Sequence, residues 1–145
     1  MDISEFMCIV SEVKKNKPIL FGLESDKAAS DNEIKQIEEY YGVELPKSYK
    51  GFLKKFGGGY FGYTVVYSCD CNSRFYLGNN VMKGWVDTYN FFPVIDFETG
   101  DLCGFKIFDK KCGEHMCIFN HEEQQVIEET GDNLFQALIK YGFRL

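Results

Sequence analysis

The stretch from residue 42 to residue 62, GVELPKSYKGFLKKFGGGYFG, constrains the fold more than any other part of the chain. Pro46 suits the first turn of a helix, where the N–H that proline lacks would have no partner in any case. Apolar residues then recur at the spacing of one helix face, namely Tyr49, Phe52, Leu53 and Phe56. Three consecutive glycines follow, so the pattern predicts a short amphipathic helix that ends at Gly57.

Three consecutive glycines also occur in phosphate-binding loops, where a strand precedes them and a helix N-terminus faces the anion. Here the order is reversed, because a helical pattern precedes Gly57 and an apolar strand pattern follows Gly59. The C-terminus of a helix carries negative partial charge and repels phosphate. We therefore expect that the glycines end the helix, that at least one has a positive φ, and that no nucleotide cofactor binds there.

Two further helices are predicted before the Leu-Pro pair. Apolar residues in the segment 2–15 have helical spacing, and Pro18 prevents that helix from continuing. Ser30 with Glu33 forms the pattern of a capping box at the start of the next helix. Gly42 supplies the left-handed residue that ends this second helix.

The remaining pattern predicts the fold class. Four segments with strand character follow the glycines, and a last apolar helical pattern closes the chain. This order predicts an α+β fold in which amphipathic helices pack against an antiparallel β-sheet. With 145 residues, the chain is expected to form one domain over residues 1–145. The stretch from Cys69 to Asn90 has no firm period and predicts a loop with a short helical piece.

Composition narrows the class of protein. The sequence has no run of 18 or more apolar residues, and its first residues carry acids where an export signal needs bases. We therefore expect a cytoplasmic domain that does not bind a membrane. The six cysteines are expected to remain reduced in that compartment.

Charge is distributed unevenly along the chain. The formal net charge is −6, and residues 84–132 hold eleven acids and three bases, which gives that part a net charge of −8. An acidic surface repels nucleic acid and suits a basic protein partner, so no direct binding of nucleic acid is expected. The same charges are also compatible with an ordinary solvated surface.

Metal and thiol chemistry are alternatives that the cysteines and histidines raise. The candidate zinc ligands are Cys69, Cys71, Cys112, Cys117, His115 and His121. Thiolate sites usually have two to four residues between paired cysteines, and the first pair has only one. A cysteine nucleophile activated by His121 is a second possibility, but neither histidine lies in a catalytic motif. We therefore expect no metal and no cofactor.

Carboxylates raise the question of acid–base catalysis. Asp96, Glu98 and Asp101 flank a Thr-Gly pair between two predicted strands. Paired acids can transfer protons, whereas acids at the tip of a hairpin usually form the turn. Since no further catalytic pattern accompanies them, the sequence does not predict an enzyme.

One long motif resembles a known family. The segment EIKQIEEYYGVELPKSYKGFLKKFGGG resembles the hallmark of the SUKH superfamily, the Smi/Knr-like domain. The matching positions are Gly42, Leu45, Pro46, Tyr49, Phe52, Leu53, Gly57, Gly58 and Gly59. The resemblance extends over residues 30–140, through VIDFETGDLCGFKIF, FNHEEQQ and the closing LFQALI. Lys55 and Phe56 depart from the family pattern before the glycines, and the segment 68–90 has no counterpart.

The resemblance implies a fold and a function class. It implies an α+β fold and, for bacterial single-domain members, an immunity protein that neutralises a cognate polymorphic toxin, often a nuclease. Fungal members of the family are signalling scaffolds, so a cytosolic protein-binding regulator is the alternative, and a small metal-dependent hydrolase is a weaker one. A toxin nuclease must be basic to hold phosphates, and an acidic inhibitor complements such a surface.

The binding surface is expected in the acidic part of the chain. Tryptophan and tyrosine dominate the energetics of protein interfaces, whereas charges at the rim mainly set association rate and specificity. The candidate aromatic anchors are Phe61, Trp85 and Tyr89. The candidate charges are Asp87, Asp96, Glu98, Asp101, Glu122 and Glu123. Trp85, the only tryptophan, is equally compatible with a place in the core.

Overall fold

The computed structural model describes residues 1–145, except for the side chain of residue 128. The helices are α1 (Ile3–Asn16), α2 (Asp31–Tyr41), α3 (Lys47–Phe56), α4 (Leu77–Asn80), α5 (Lys83–Tyr89) and α6 (Leu134–Ala137). A 3₁₀ turn (Pro18–Phe21) follows α1, and a π-helical turn (Leu138–Gly142) continues α6. The strands are β1 (Gly59–Phe61), β2 (Thr64–Val66), β3 (Phe91–Asp96), β4 (Leu102–Phe108), β5 (Lys111–Asn120) and β6 (Gln125–Glu129). None of the helices among the described residues has the length and apolarity needed to cross a membrane.

The six strands form one sheet in the order β1-β2-β3-β4-β5-β6, with every neighbouring pair antiparallel. The predicted α+β fold with an antiparallel sheet is therefore confirmed. The four predicted strand segments correspond to β2, β3, β4 and β5. The edge strands β1 and β6 were not predicted as separate strands, because β1 has only three residues and β6 is polar.

The sheet has an apolar cluster on each face. Successive side chains of a strand point to opposite faces, so Phe91 and Phe92 belong to different clusters. The large cluster contains Phe92 and the apolar sides of α1, α2, α3 and α6. The small cluster contains Phe91, Cys117 and Phe119, with Trp85 and Tyr89 of α5 packed against it. The helices therefore cover one face, and α5 brings aromatic residues to the other.

The Leu-Pro helix lies at the centre of the large cluster. Leu45, Tyr49, Phe52 and Leu53 are at most 2 % exposed, and Phe56 is partly buried against them. Leu134, Phe135 and Leu138 belong to the same cluster. The prediction that α3 packs onto the sheet beside the closing helix is confirmed.

The ends of α2 follow the sequence prediction. The Ser30 hydroxyl accepts a hydrogen bond from the Glu33 N–H, and the Glu33 carboxylate accepts one from the Ser30 N–H. Gly42 ends the helix with φ 69°. Both the predicted capping box and the left-handed C-terminal residue are therefore confirmed.

The N-terminus of α3 is stabilised by acids from elsewhere in the chain. Pro46 has no side chain that can cap the helix. Glu114 of β5 accepts hydrogen bonds from the Lys47 N–H at 2.9 Å and the Ser48 hydroxyl at 3.1 Å. Glu38 of α2 accepts one from the Leu45 N–H at 2.8 Å. A carboxylate at this end of a helix is favoured by both the free N–H groups and the helix dipole.

The three glycines allow a close crossing of two backbone segments. All three have positive φ, with values of 78°, 135° and 85°, which confirms the prediction for this run. The segment that precedes α2 crosses them, and the Asp26 N–H donates to the Gly58 carbonyl at 2.8 Å. A Cβ atom on Gly57 would lie 2.2 Å from the Asp26 carbonyl oxygen. The glycines thus end α3 and also leave room for a neighbouring chain segment.

The segment between β2 and β3 is ordered by a buried tyrosine. The Tyr41 hydroxyl donates to the carbonyls of Leu77 and Val81, at 3.0 Å and 2.7 Å. These two bonds hold α4 and the turn before α5 against α2. Leu77, Val81 and Val86 of this segment are also buried in the large cluster, but its two helices, of four and seven residues, are too short to give a firm sequence period.

We expect the Phe52→Ala variant to lose about 3–5 kcal/mol of unfolding free energy, because Phe52 is fully buried and its removal leaves a cavity. Urea denaturation measures this loss. Lys55→Ala, at an exposed position of the same helix, is the control and should change stability by less than about 0.5 kcal/mol. Equal stability of the two variants would contradict the placement of Phe52.

We expect Gly57→Ala to lower the unfolding free energy by at least about 2 kcal/mol, because the new Cβ requires both an unfavourable φ and a backbone shift. The matched control is Gly84→Ala, where no atom lies within 4 Å of the added Cβ and φ is not positive. A thermal melting series on both variants measures the difference. A Gly57→Ala protein as stable as the control would refute the close crossing.

Candidate partner-binding surface

Two turns meet at one end of the sheet and carry most of the predicted charges. One turn joins β3 to β4 and the other joins β5 to β6. We call the acids on and beside these turns the acidic turn surface, which comprises Asp96, Glu98, Asp101, Glu122 and Glu123. The structure brings these five predicted residues to one region, although they lie up to 27 positions apart in sequence.

Asp101 connects the two turns. Its Oδ1 accepts a hydrogen bond from the His121 N–H at 3.0 Å and lies 2.5 Å from Nδ1 of the His121 ring. The backbone hydrogen bond from His121, followed by the side-chain one, lowers the pKa of Asp101 below its usual value. Gly100 allows this approach, because a Cβ atom there would lie 2.8 Å from the histidine ring.

Asp96 holds the start of the same turn. Its Oδ1 accepts from the Glu98 N–H at 2.7 Å, and its Oδ2 accepts from the Tyr67 hydroxyl at 2.9 Å. Burial, followed by the charge of Asp96, raises the pKa of Tyr67 well above its usual value. The hydroxyl therefore stays protonated and donates its hydrogen to the carboxylate. The Asp96–Glu98 bond confirms that these acids form the turn, as acids at hairpin tips usually do.

The other acids of this surface are exposed. The N–H groups of Glu122 and Glu123 both donate to Asn120 Oδ1 at 2.9 Å, so their backbone is ordered while their side chains face solvent. Glu98 is also exposed and has φ 60°. Asp96 and Asp101 therefore shape the turns, whereas the three glutamates supply accessible charge.

An aromatic group lies beside the turns. The rings of Trp85 and Tyr89 are each half-buried, and their centroids lie 4.8 Å and 5.0 Å from that of Phe119. The Tyr89 hydroxyl lies 3.4 Å from Gln124 Oε1. Trp85 is thus neither in the main core nor fully exposed. The sequence left open whether it is an interface anchor or a core residue, and its half-buried position lies between these two alternatives.

Phe61 does not belong to this surface. It is only 5 % exposed, and its ring packs against those of Phe6, Phe52, Phe56 and Phe143 at centroid distances of 5.2–5.8 Å. Phe61, a candidate anchor from the sequence, is therefore not accessible to a partner, because its position in β1 directs the ring into the large cluster. Asp87, on α5, is exposed and pairs with Lys83 at 3.1 Å.

A cleft of about 300 Å³, here called the turn cleft, lies between the turns and the α4–α5 segment. Its lining includes Tyr67, Asn80, Met82, Trp85, Phe119, His121 and Gln124. The sequence pointed to Trp85 as a candidate anchor and to His121 only as a metal ligand or catalytic partner, and it did not point to the other lining residues. Tyr67, Asn80 and Met82 reach the cleft from segments far from the turns, so no local pattern could have identified them.

A larger cleft, about 850 Å³, lies elsewhere, between the start of α3 and the β4–β5 hairpin. Its lining includes Pro46, Ser48, Phe108 and Glu114. The Glu114 carboxylate is already bonded to the first turn of α3. The turn cleft is smaller but adjoins the predicted acids and aromatic residues.

Four of the six cysteines are buried, and these four are divided between the two faces of the sheet. Cys112 belongs to the cluster on the helical face of the sheet, and Cys117 to the cluster on the opposite face. Among the described residues, no group of three or more histidines, cysteines or acids is placed to hold a metal ion. Burial raises the pKa of the Cys69 and Cys112 thiols to about 12, so these thiols stay protonated at neutral pH.

A known protein family matches most of the chain. The family model SUKH_6, described as SMI1-KNR4 cell-wall, matches residues 31–136. That range begins with α2, contains the Leu-Pro helix and the whole sheet, and reaches into α6. No curated protein matches the chain.

We expect the contribution of Asp101 to stability to depend on pH. Because its pKa is lowered in the folded state, this contribution is complete above the unfolded value of about 3.9 and is lost as pH falls through the folded value. Asp101→Asn should therefore be less stable than the parent at pH 7, and the difference should shrink as the pH falls below the unfolded value. Urea denaturation across this pH range measures it. A difference that does not change with pH would contradict the ionised Asp101–His121 contact.

Proposed function

The chain belongs to the SUKH family described as SMI1-KNR4 cell-wall, and from this premise we propose that it is a cytoplasmic immunity protein. In this role it binds and neutralises a cognate polymorphic toxin, whose toxic domain is a basic nuclease. Domains of this family are generally non-catalytic and serve in immunity or regulation. The proposal therefore assigns the protein a binding role and no reaction of its own.

The observation that carries the proposal is the acidic turn surface beside half-buried aromatic rings. Glu98, Glu122 and Glu123 are exposed on two turns that the Asp101–His121 contact holds together. Ordered turns present their charges in a fixed arrangement, so little conformational entropy is lost when a partner binds. Trp85 and Tyr89 supply the kind of aromatic area that dominates binding energy at interfaces.

Charge favours a nuclease as the partner. A nuclease binds its substrate through basic residues that neutralise phosphates. A surface rich in glutamate competes for those residues and accelerates association through long-range attraction. An inhibitor that covers the phosphate-binding surface prevents the nuclease from holding nucleic acid, without any need for catalysis.

We expect the double variant Glu98→Lys/Glu122→Lys to associate with the proposed cognate toxin about tenfold more slowly than the parent. Both side chains are exposed, so the thermal midpoint should stay unchanged. Stopped-flow mixing at several salt concentrations measures the rate, and its dependence on salt should weaken because fewer charges attract each other.

The matched control is Glu12→Lys/Glu39→Lys, which makes the same change in net charge at exposed positions of α1 and α2. This control should associate at nearly the parental rate and should still protect cells that express the toxin. If both double variants slow association equally, only net charge matters and the acidic turn surface is not the binding site. If no complex forms with the parent protein, the proposal of an immunity function fails, and the regulatory alternative is favoured.

A further inference from the structure

The polar groups of the turn cleft have a common property. Four of its lining side chains contain both a hydrogen-bond donor and an acceptor, namely Tyr67, Asn80, His121 and Gln124. In each of the four, a donor atom is already bonded to the protein. The acceptor atoms of these side chains determine what the cleft can bind.

The donors of Tyr67 and Asn80 are directed away from the cleft. The Tyr67 hydroxyl donates to Asp96 Oδ2 at 2.9 Å, so its oxygen retains lone pairs for another donor. Asn80 Nδ2 donates to the carbonyls of Arg74 and Tyr76, both at 2.8 Å. These two bonds fix the orientation of the amide and leave Asn80 Oδ1 as an acceptor.

The His121 ring and one of the two side-chain N–H groups of Gln124 form hydrogen bonds within the turns. A carboxylate only accepts hydrogen bonds, so the contact with Asp101 places the hydrogen of the neutral His121 ring on Nδ1. Nε2 of the same ring is then an acceptor. Gln124 Nε2 donates to the His121 carbonyl, which directs Gln124 Oε1 towards the Tyr89 hydroxyl at 3.4 Å.

The apolar lining suits a long side chain that ends in a planar cation. The rings of Trp85 and Phe119 lie 4.8 Å apart at 69°, and aromatic surface of this kind attracts a guanidinium group. Met82 is 78 % exposed and offers an adaptable apolar surface for a methylene chain. Asp96 and Asp101 each bond directly to a lining side chain, so the surroundings of the cleft are negative. The adjacent base Lys83 is already paired with Asp87.

We propose that the turn cleft binds an arginine side chain of the partner protein. The guanidinium group lies against the aromatic lining, and its N–H groups donate to the acceptors of Tyr67, Asn80 and Gln124. Arginine fits better than lysine because its donors spread over a plane and can reach several acceptors at once. This inference rests on the proposed function, since it identifies the chemistry with which a basic toxin would occupy the same surface.

The test uses the isolated protein and short peptides as probes. Gly-Arg-Gly, Gly-Lys-Gly and the tripeptide containing citrulline, an uncharged analogue of arginine, are titrated at pH 8 and followed by NMR. The only tryptophan of the chain lies in the cleft, so its indole N–H is a local reporter, together with the amides of Gly100 and His121. We expect saturable shifts at these positions with the arginine peptide, and binding at least about tenfold weaker with the citrulline peptide, since the charge supplies most of the attraction.

Three variants test whether the peptide binds in the turn cleft. Gln124→Lys places an ammonium group at the cleft and should abolish binding of the arginine peptide. Gln36→Lys makes the same substitution at an exposed position of α2 and should leave binding unchanged. Trp85→Leu should weaken binding about tenfold, as loss of a cation–π contact predicts; the Gly100 and His121 amides report on this variant.

Several results would overturn the inference. Equal binding of the arginine and citrulline peptides would show that the cleft does not select a cation, and stronger binding of the lysine peptide would show that it does not select a guanidinium group. Shifts outside the cleft, or binding that survives Gln124→Lys, would place the peptide elsewhere. Because the test contains no toxin, selective binding here combined with failure to bind any toxin would disprove the proposed function and leave the arginine site standing.

Discussion

The N-terminus of α3 is the point on which the rest of the structure depends. The helix starts at a proline that cannot cap it, and carboxylates from two other elements provide the missing acceptors. Glu38 binds the Leu45 N–H and also contacts Lys50 Nζ at 3.3 Å, which ties α2 to α3. Glu114 ties β5 to the same turn. The Leu-Pro motif is therefore a junction of two helices and a strand, which explains why its residues must occur at fixed offsets.

The same helix positions the candidate binding surface through one buried residue. The Tyr49 hydroxyl donates to the Tyr67 carbonyl at 2.6 Å, inside the large cluster. The Tyr67 side chain in turn bonds to Asp96 and lines the turn cleft. Buried hydrogen bonds of this kind are costly to leave unmade, so they fix position strongly. The helix that forms the core thereby also fixes one wall of the cleft.

The sequence predicted those parts of the fold that are determined by residues close together in the chain. The capping box of Ser30 and Glu33, the end of α2 at Gly42 and the buried face of α3 each follow from residues a few positions apart. The path of α4 and α5 could not be predicted, because it depends on bonds from Tyr41 to carbonyls 36 and 40 positions away. Phe61 was misassigned for a similar reason: a three-residue strand gives too short an alternation to show which face is buried.

The candidate site was predicted in part. Its charges were recognisable from composition, since acids are concentrated between residues 84 and 132. The separate roles of these acids could not be recognised, because in the sequence Asp101 resembles any other turn acid. Only the fold brings His121 within 2.5 Å of it. The residues that line the turn cleft come from five different segments of the chain, and only the antiparallel order of the strands places those segments together.

The acidic turn surface contains acids that hold the turns and acids whose side chains are exposed. Asp96 and Asp101 accept hydrogen bonds that hold the two turns, so their replacement alters the shape of the surface as well as its charge. Glu98 and Glu122 are exposed, and a change of their side chains alters the electric field while the turns stay intact. A binding protein built in this way can change its partner by substitution at the exposed glutamates, while the aspartates preserve the scaffold that presents them.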